Sequence, residues 1–217
     1  MALKENPNSA GRKRKDRLTI LLTYNISRTD KGRPLVIGKS RSPRCFKSIE
    51  NIPAHYRNNE TACMSSYISE EYLRKWDSIG LLRKNVALIV DNCPAHPTEL
   101  LIFLSTNTTS LIQPLDQGII KNFNTLYRND MKKRSIDTVD EGAEDANEVD
   151  AIHVTCAAWH KVSGSCITNC FKKSGMSVPE NPDDVPTDTI DDPITAFYMK
   201  ICRHGLMLMK TYQFVRQ

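Results

Sequence analysis

The sequence predicts an α/β fold, a mixed sheet flanked by helices, on three observations. Val86-Ala87-Leu88-Ile89-Val90 is an unbroken aliphatic run, the pattern of a strand covered on both faces, and it delivers Asp91 at its carboxyl end. Leu18 to Tyr24 and Pro34 to Gly38 are two further apolar runs, separated by the turn residues Asp30-Lys31-Gly32. Other segments repeat their apolar residues every three or four positions, which is the helical period.

In chain order, the first two runs are expected to pair as a hairpin-like unit. Ser66 can cap a helix whose Ile68, Tyr72, Trp76 and Ile79 make one buried stripe, a core face rather than a stacking platform for bases. The Val86 to Val90 strand follows, then a short strand over Leu100 to Leu104. A helix starts near Asp116, carries Ile119, Phe123 and Leu126, and closes at Lys132-Lys133-Arg134, where the helix dipole favours cations. Residues 135–150, with Asp137, Asp140, Glu141, Glu144, Asp145, Glu148 and Asp150, read as a solvated acidic connection. Asp150 then caps a helix that carries Ile152, Cys156, Trp159 and Val162 on one face. Ser165 caps a second helix, ended by Gly175. Beyond Met176, four prolines among acids suggest a linker, and Ile194 to Val215 reads as a lone amphipathic helix. The organisation is therefore a core over 1–134, an acidic connection over 135–150, closing helices over 151–176, and a linker with a C-terminal helix over 177–217.

The 217 residues suffice for one sizeable domain, and the formal net charge is +5. That charge is uneven. Residues 1–134 hold 23 Lys and Arg against 12 Asp and Glu, whereas residues 135–217 hold 7 against 13. A basic half can neutralise phosphates and release counterions, giving salt-dependent affinity for DNA; plain solubility accounts for it equally well. Two local clusters sharpen the picture. Arg12, Lys13, Arg14 and Lys15 suit a nuclear-import patch, a phosphate-contacting arm or a solvated lead-in to a strand. Lys39, Arg41, Arg44 and Lys47 interleave with Pro43, Cys45 and Phe46 in a loop after the second strand, and loops displayed by a rigid sheet commonly meet ligand. Seven cysteines and a polar start imply a reducing compartment with neither secretory leader nor membrane span. Cys93 with His96, and Cys166 with Cys170, lack paired zinc-ligand spacing, and Cys156, Cys166 and Cys170 fall on helical apolar faces, so buried free thiols are expected.

Two isolated carboxylates carry the chemistry. Asp91 ends one apolar strand, and Asp116, in Gln113-Pro114-Leu115-Asp116-Gln117-Gly118, follows another and opens a helix. Ligands of open α/β sheets collect at the carboxyl edge. The pair points to a divalent-metal site for phosphoryl transfer, although Asp116 alone would read as a helix cap.

The blocks Asp16 to Leu22, Lys31 to Ser40, Pro43-Arg44-Cys45-Phe46, Asp91-Asn92-Cys93-Pro94-Ala95-His96 and Asn107 to Gly118 closely resemble the DDE superfamily endonuclease domain of pogo and Tigger-type transposases, shared by Jerky-like proteins and centromere protein B. The likeness runs from about Leu3 to Met176. It implies a ribonuclease-H-like mixed sheet and a nuclear protein that handles DNA with Mg²⁺ or Mn²⁺ held by three acids. The second and third of these are Asp91 and Asp116 here. The first belongs on the central strand of the sheet, which the sequence is expected to lack, leaving the Leu18 and Val86 strands apart with unpaired amides at about 1–3 kcal/mol each. Two ions about 3.5–4 Å apart need a bridging carboxylate, so cleavage and strand transfer are expected to be lost. Two alternatives stay open: an active endonuclease whose first acid comes from upstream or in trans, and a domesticated, non-catalytic nuclear interaction protein.

Overall fold

Strand β1, Arg17–Asn25, is the element on which the sheet is built, because its side chains are buried on both faces from Leu18 to Tyr24. Leu18, Ile20, Leu22 and Tyr24 face one side and join the main core, while Thr19, Leu21 and Thr23 alternate to the other. On that second side the Thr19 hydroxyl donates to the Ala62 carbonyl at 2.6 Å, satisfying a polar group that is wholly buried. A computed structural model describes residues 17–25, 31–47, 49–78, 87–90, 102–103, 113–140, 147–175 and 206–215.

Strands and helices are intermixed along the described residues. After β1 come β2 (Leu35–Gly38), a 3₁₀ turn (Arg44–Phe46), β3 (His55–Asn58) and α1 (Ser66–Ser78). β4 (Ala87–Val90) and β5 (Ile102–Phe103) follow. A single π turn (Leu115–Ile119) runs into α2 (Ile120–Asp140), then α3 (Glu148–Lys161), α4 (Gly164–Lys173) and β6 (Leu206–Val215). Among the described residues the sheet has six strands in the order β3-β2-β1-β6-β4-β5. β1 and β2 are antiparallel, with Ile20 opposite Val36, as expected of the hairpin-like pair. β2 and β3 run parallel, and so do β4 and β5, with Val90 level with Phe103.

The centre of the sheet departs from the sequence reading. The place between β1 and β4, expected to be vacant, is filled by β6, antiparallel to β1 over nine residue pairs and parallel to β4 over three. Residues 206–215 are consequently a strand, and the lone amphipathic helix expected over Ile194 to Val215 does not hold there. The physical reason is ladder satisfaction. Two facing rows of amides in the middle of a covered sheet need partners, and a ten-residue segment supplies both rows at once.

Three smaller corrections concern helix ends. α2 runs to Asp140, past the basic triplet at 132–134, so residues 135–140 are helical rather than part of a connection. α3 is capped by Asn147, not Asp150. The Asn147 side chain accepts from the Val149 and Asp150 amides, and the Asp150 carboxylate accepts from the Asn147 amide at 2.8 Å, a reciprocal capping box. α4 is capped by Ser163, whose hydroxyl accepts from the Cys166 amide at 3.1 Å, rather than by Ser165.

The core lies on the Leu22 face of β1. Leu115 and Ile119 of the π turn, Phe123 and Tyr127 of α2, Ile152 and Trp159 of α3, and Ile167 and Phe171 of α4 all pack there. Tyr24 is its aromatic hub, edge-on to Trp159 and Phe171 with ring centroids 6.0 and 5.5 Å away. α1 contributes buried Ile68, Ser69, Tyr72 and Leu73, which bears out the core reading of its stripe for the first two apolar positions. Among the described residues, no helix is long and apolar enough to cross a membrane.

Candidate functional site

The basic loop after β2 is built on a close backbone approach. Gly38 ends β2, and a Cβ there would come within 2.2 Å of the Tyr56 hydroxyl and 2.5 Å of Glu148 Oε1, so any larger residue would have to displace these two side-chain ends. The Tyr56 hydroxyl is shared between the Ser40 carbonyl at 2.8 Å and Glu148 Oε1 at 3.1 Å. Burial, and then the neighbouring Glu148 carboxylate, push its pKa far above the usual phenol range, so it stays a donor. Buried Pro43 leads into the 3₁₀ turn, and Phe46 packs edge-on to Tyr56 at 4.8 Å. Lys39, Arg41, Arg44 and Lys47 are all exposed on this fixed scaffold. Four cations are thereby displayed from one short loop with its underside pinned.

Asp116 sits in the opening turn of the α2 helical run. Pro114 starts that run with no side-chain cap, a position where proline's missing N–H costs nothing, and the Asp116 and Gln117 amides close back on the Gln113 and Pro114 carbonyls at 3.0 and 3.1 Å. Leu115 and Ile119 are completely buried and pin the turn to the sheet, whereas Asp116 faces solvent. Asp116 is thus a first-turn acid, not the cap that its position alone suggests, and the helix dipole favours its charge. Gly118 is needed beside it, because a Cβ would lie 3.1 Å from Cys170 Sγ and the backbone φ is 157°.

Buried polar groups lie beneath this turn. The Tyr24 hydroxyl is buried with no hydrogen-bond partner among the described residues, and its pKa is raised by burial first, then by Cys170, Cys166 and Asp116. The charge of Asp116 is therefore felt at the Tyr24 end of β1. Gln113 is also fully buried, with neither side-chain oxygen nor nitrogen bonded among the described residues. Burial and then Cys166 raise the Cys170 thiol to about 11, so it is inert rather than nucleophilic. Cys45, Cys63, Cys156, Cys166 and Cys170 are free thiols; Cys170 is buried as expected, whereas Cys156 and Cys166 are only half-buried.

Of the expected site residues, Asp116 and the four cations of the loop are placed as described. Asp91, Arg12, Lys13, Arg14 and Lys15 lie outside the described residues, as do Cys93 and His96. Among the described residues, no three His, Cys, Asp or Glu side chains gather in a way that could hold a metal ion, and Leu206–Val215 contains no acid. The described residues do not amount to a two-ion site. Sequence reasoning missed Tyr56 and Glu148 as the anchors of the basic loop; the glycine directly before the cluster was the available signal.

A mixed sheet with helices packed on its core face, an exposed acid on a helix opening over that face and a basic loop beyond one strand end define a mixed α/β domain. Comparison with known proteins makes the class specific. The chain belongs to the DDE superfamily endonuclease family, whose model matches residues 15–171. It is 31% identical over 191 residues to Tigger transposable element-derived protein 4 of Mus musculus, covering 84% of this chain and 37% of that protein. It is 29% identical over 190 residues to CENP-B homolog protein 2 of Schizosaccharomyces pombe (77% and 37%), and 30% identical over 183 residues to a Jerky protein homolog of Homo sapiens (76% and 32%). The chain thus spans about a third of the length of these relatives. No solved structure matches.

Proposed function

We propose that this chain is a transposase-derived, ribonuclease-H-like DDE domain that binds DNA in the nucleus and has lost cleavage and strand transfer. The observation that carries this reading is the sheet centre. The strand between β1 and β4, where the family places its first metal-binding acid, is here Leu206–Val215, which holds no carboxylate. Asp91 and Asp116 then remain as an incomplete pair. A divalent ion bound there would neutralise phosphate charge, and two carboxylates can hold one such ion weakly. The two-ion clamp that in-line displacement needs would still lack its bridge.

DNA contact falls to the basic residues. Lys39, Arg41, Arg44 and Lys47 are exposed on a pinned loop, and Arg12, Lys13, Arg14 and Lys15 add a second cluster in the sequence. Such groups bind phosphates by position and charge without reading bases. Nuclear location is supported by relatives whose names place them at centromeres, such as Major centromere autoantigen B of Homo sapiens, 26% identical over 171 residues. Family membership favours a second reading, an active metal-dependent endonuclease completed by an acid supplied upstream or in trans.

One experiment separates the readings. The purified chain is titrated with duplex DNA across a salt series, then incubated with supercoiled plasmid and Mg²⁺ or Mn²⁺. The expected result is salt-dependent binding without nicking. Nicking that disappears in Asp91→Asn or Asp116→Asn would establish the nuclease, and absent binding at low salt would leave only an interaction protein.

A further inference from the structure

Between the edge strand β3 and α1 the second face of the sheet carries a pocket of its own. Residues two apart on a strand share a face, as do residues three and four apart on a helix. On β3 this puts His55 and Arg57 on the side of α1 and turns Tyr56 the other way, to Phe46 and Glu148. On α1 it puts Glu71, Tyr72 and Lys75 in one stripe facing them. The pocket encloses about 270 Å³, part of it open to solvent. That is below the roughly 300–1,000 Å³ of sites that bury a drug-sized ligand and enough for one small polyatomic ion.

Glu71 is the one acid in the lining, and it is already engaged. Its two oxygens accept from Arg57 Nε at 3.0 and 2.9 Å, and Oε1 accepts from Arg57 Nη2 as well. The Lys75 ammonium lies 3.4 Å from His55 Nδ1. An ammonium can only donate, so the neutral ring accepts at Nδ1 and carries its proton on Nε2. Tyr72 of α1 holds that ring edge-on, with centroids 6.4 Å apart. Arg33, in the turn before β2, adds a third cation, fixed by the Pro53 carbonyl at 2.8 Å and that of Ile52. Among the described residues, the charges felt most at His55 are all positive, those of Lys75, Arg33 and Arg57. Like charges gathered round a half-buried ring repel one another unless an anion lies among them.

The donors select the kind of anion. A carboxylate is best met by a guanidinium fork, and the fork of Arg57 is occupied by Glu71. The pocket offers instead single donors from different elements, an ammonium on α1 and an imidazole on β3, which suit the oxygens of a tetrahedral group. We propose that the pocket between β3 and α1 binds one phosphate group, held by Lys75 and His55 in the positive field of Arg33 and Arg57. It lies at the starting end of β2 and β3, where Leu35 is level with His55, whereas the loop bearing Lys39, Arg41, Arg44 and Lys47 leaves the far end of β2 after Gly38. The site is thus separate from the basic loop and stands whether or not that loop binds DNA. A free phosphate ion and a backbone phosphate of DNA present the same kind of oxygens, and experiment separates them. Either one offsets the three cations, so His55 takes up its proton at higher pH when the pocket is filled.

The test uses the full chain with inorganic phosphate as the probe, read through the His55 ring resonances in NMR over a pH series, assigned by their loss in His55→Gln. Chloride at matched ionic strength is the reference. Phosphate is expected to bind saturably in the millimolar range and to raise the His55 titration midpoint by about half a pH unit or more. Lys75→Met keeps the aliphatic stem and should weaken phosphate about fivefold. Lys133→Met, which removes an exposed cation of α2, should leave phosphate binding unchanged. No saturable response in the wild-type chain, or an equal response in wild type and Lys75→Met, would overturn the proposal; the wild-type titration decides it even where a variant does not fold. A second arm adds duplex DNA. Competition between phosphate and DNA, with weaker DNA binding by Lys75→Met, supports the site and makes its occupant a backbone phosphate. Phosphate bound alongside DNA, or with no DNA bound at all, supports the site and makes its occupant a free ion; the latter result would also remove the DNA-binding reading while leaving the pocket in place.

Discussion

The Lys31 ammonium lies 5.6 Å from the centroid of the Trp159 ring and donates to the Trp159 carbonyl at 3.2 Å. It also reaches the His160 carbonyl at 3.1 Å and that of Val162, while the Trp159 indole N–H donates back to the Gly32 carbonyl at 3.2 Å. The turn after β1 and the carboxyl end of α3 are thus locked through one lysine. A cation there both caps the helix's last carbonyls and meets its dipole. Lys31→Met keeps the aliphatic stem and removes these bonds. It is expected to cost about 1–2 kcal/mol in urea unfolding, with little change in slope.

The basic loop should bind through number of charges rather than sequence. Replacing Arg41 and Arg44 together by alanine is expected to reduce the slope of log affinity against log salt by about 2, without changing preference among DNA sequences. Tyr56→Phe leaves every cation in place but frees the loop's underside from Ser40 and Glu148. It should lower stability by about 1 kcal/mol and weaken binding while leaving the salt slope unaltered. Fluorescence anisotropy across a salt series reads both.

Stability should fall on mild acidification because of His55. Burial, then Lys75, Arg33 and Arg57, hold its folded pKa below the ordinary 6.5. Between those two values the unfolded chain binds more protons than the folded one, so stability rises with pH. The contribution is complete above about 6.5 and is lost as pH falls from there through the folded pKa. His55→Gln should flatten the unfolding free energy over that window, as followed by denaturant titration at a series of pH values.

Gly118 carries the π turn beneath Asp116. Gly118→Ala brings a Cβ to 3.1 Å from Cys170 Sγ at a backbone φ of 157°, and should destabilise by about 1–2 kcal/mol. Cys170→Ala in the same chain removes the contact but not the backbone strain. It should therefore recover part of the loss, measured as a non-additive term in a double-mutant cycle.

Local chemistry explains which parts of this molecule the sequence reveals. β1, β2 and α1 carry their own periodicity, and their burial follows from it, while β4 is legible as an aliphatic run. Asp116 was singled out through the block it shares with a known family, since an acid at a helix opening reads by itself as a cap, and the cations at 39–47 through their clustering after an apolar run. β3, His55-Tyr56-Arg57-Asn58, escapes notice because an edge strand needs only one half-buried side and tolerates polar residues. β6 escapes for a deeper reason. Leu206-Met207-Leu208-Met209 consists of good helix formers, and nothing local reverses that preference. Its strand conformation comes from partners almost two hundred positions away, at Arg17–Asn25, and no window along the chain contains that pairing.

The central claim is that Leu206–Val215 holds the middle of the sheet. Amide hydrogen exchange of the intact chain, resolved by mass spectrometry, tests it most directly. A strand hydrogen-bonded on both sides opens only with the sheet, so peptides covering 206–215 are predicted to exchange as slowly as those covering 17–25. Exchange of 206–215 at the rate of an unstructured peptide, while 17–25 stays protected, would contradict the account.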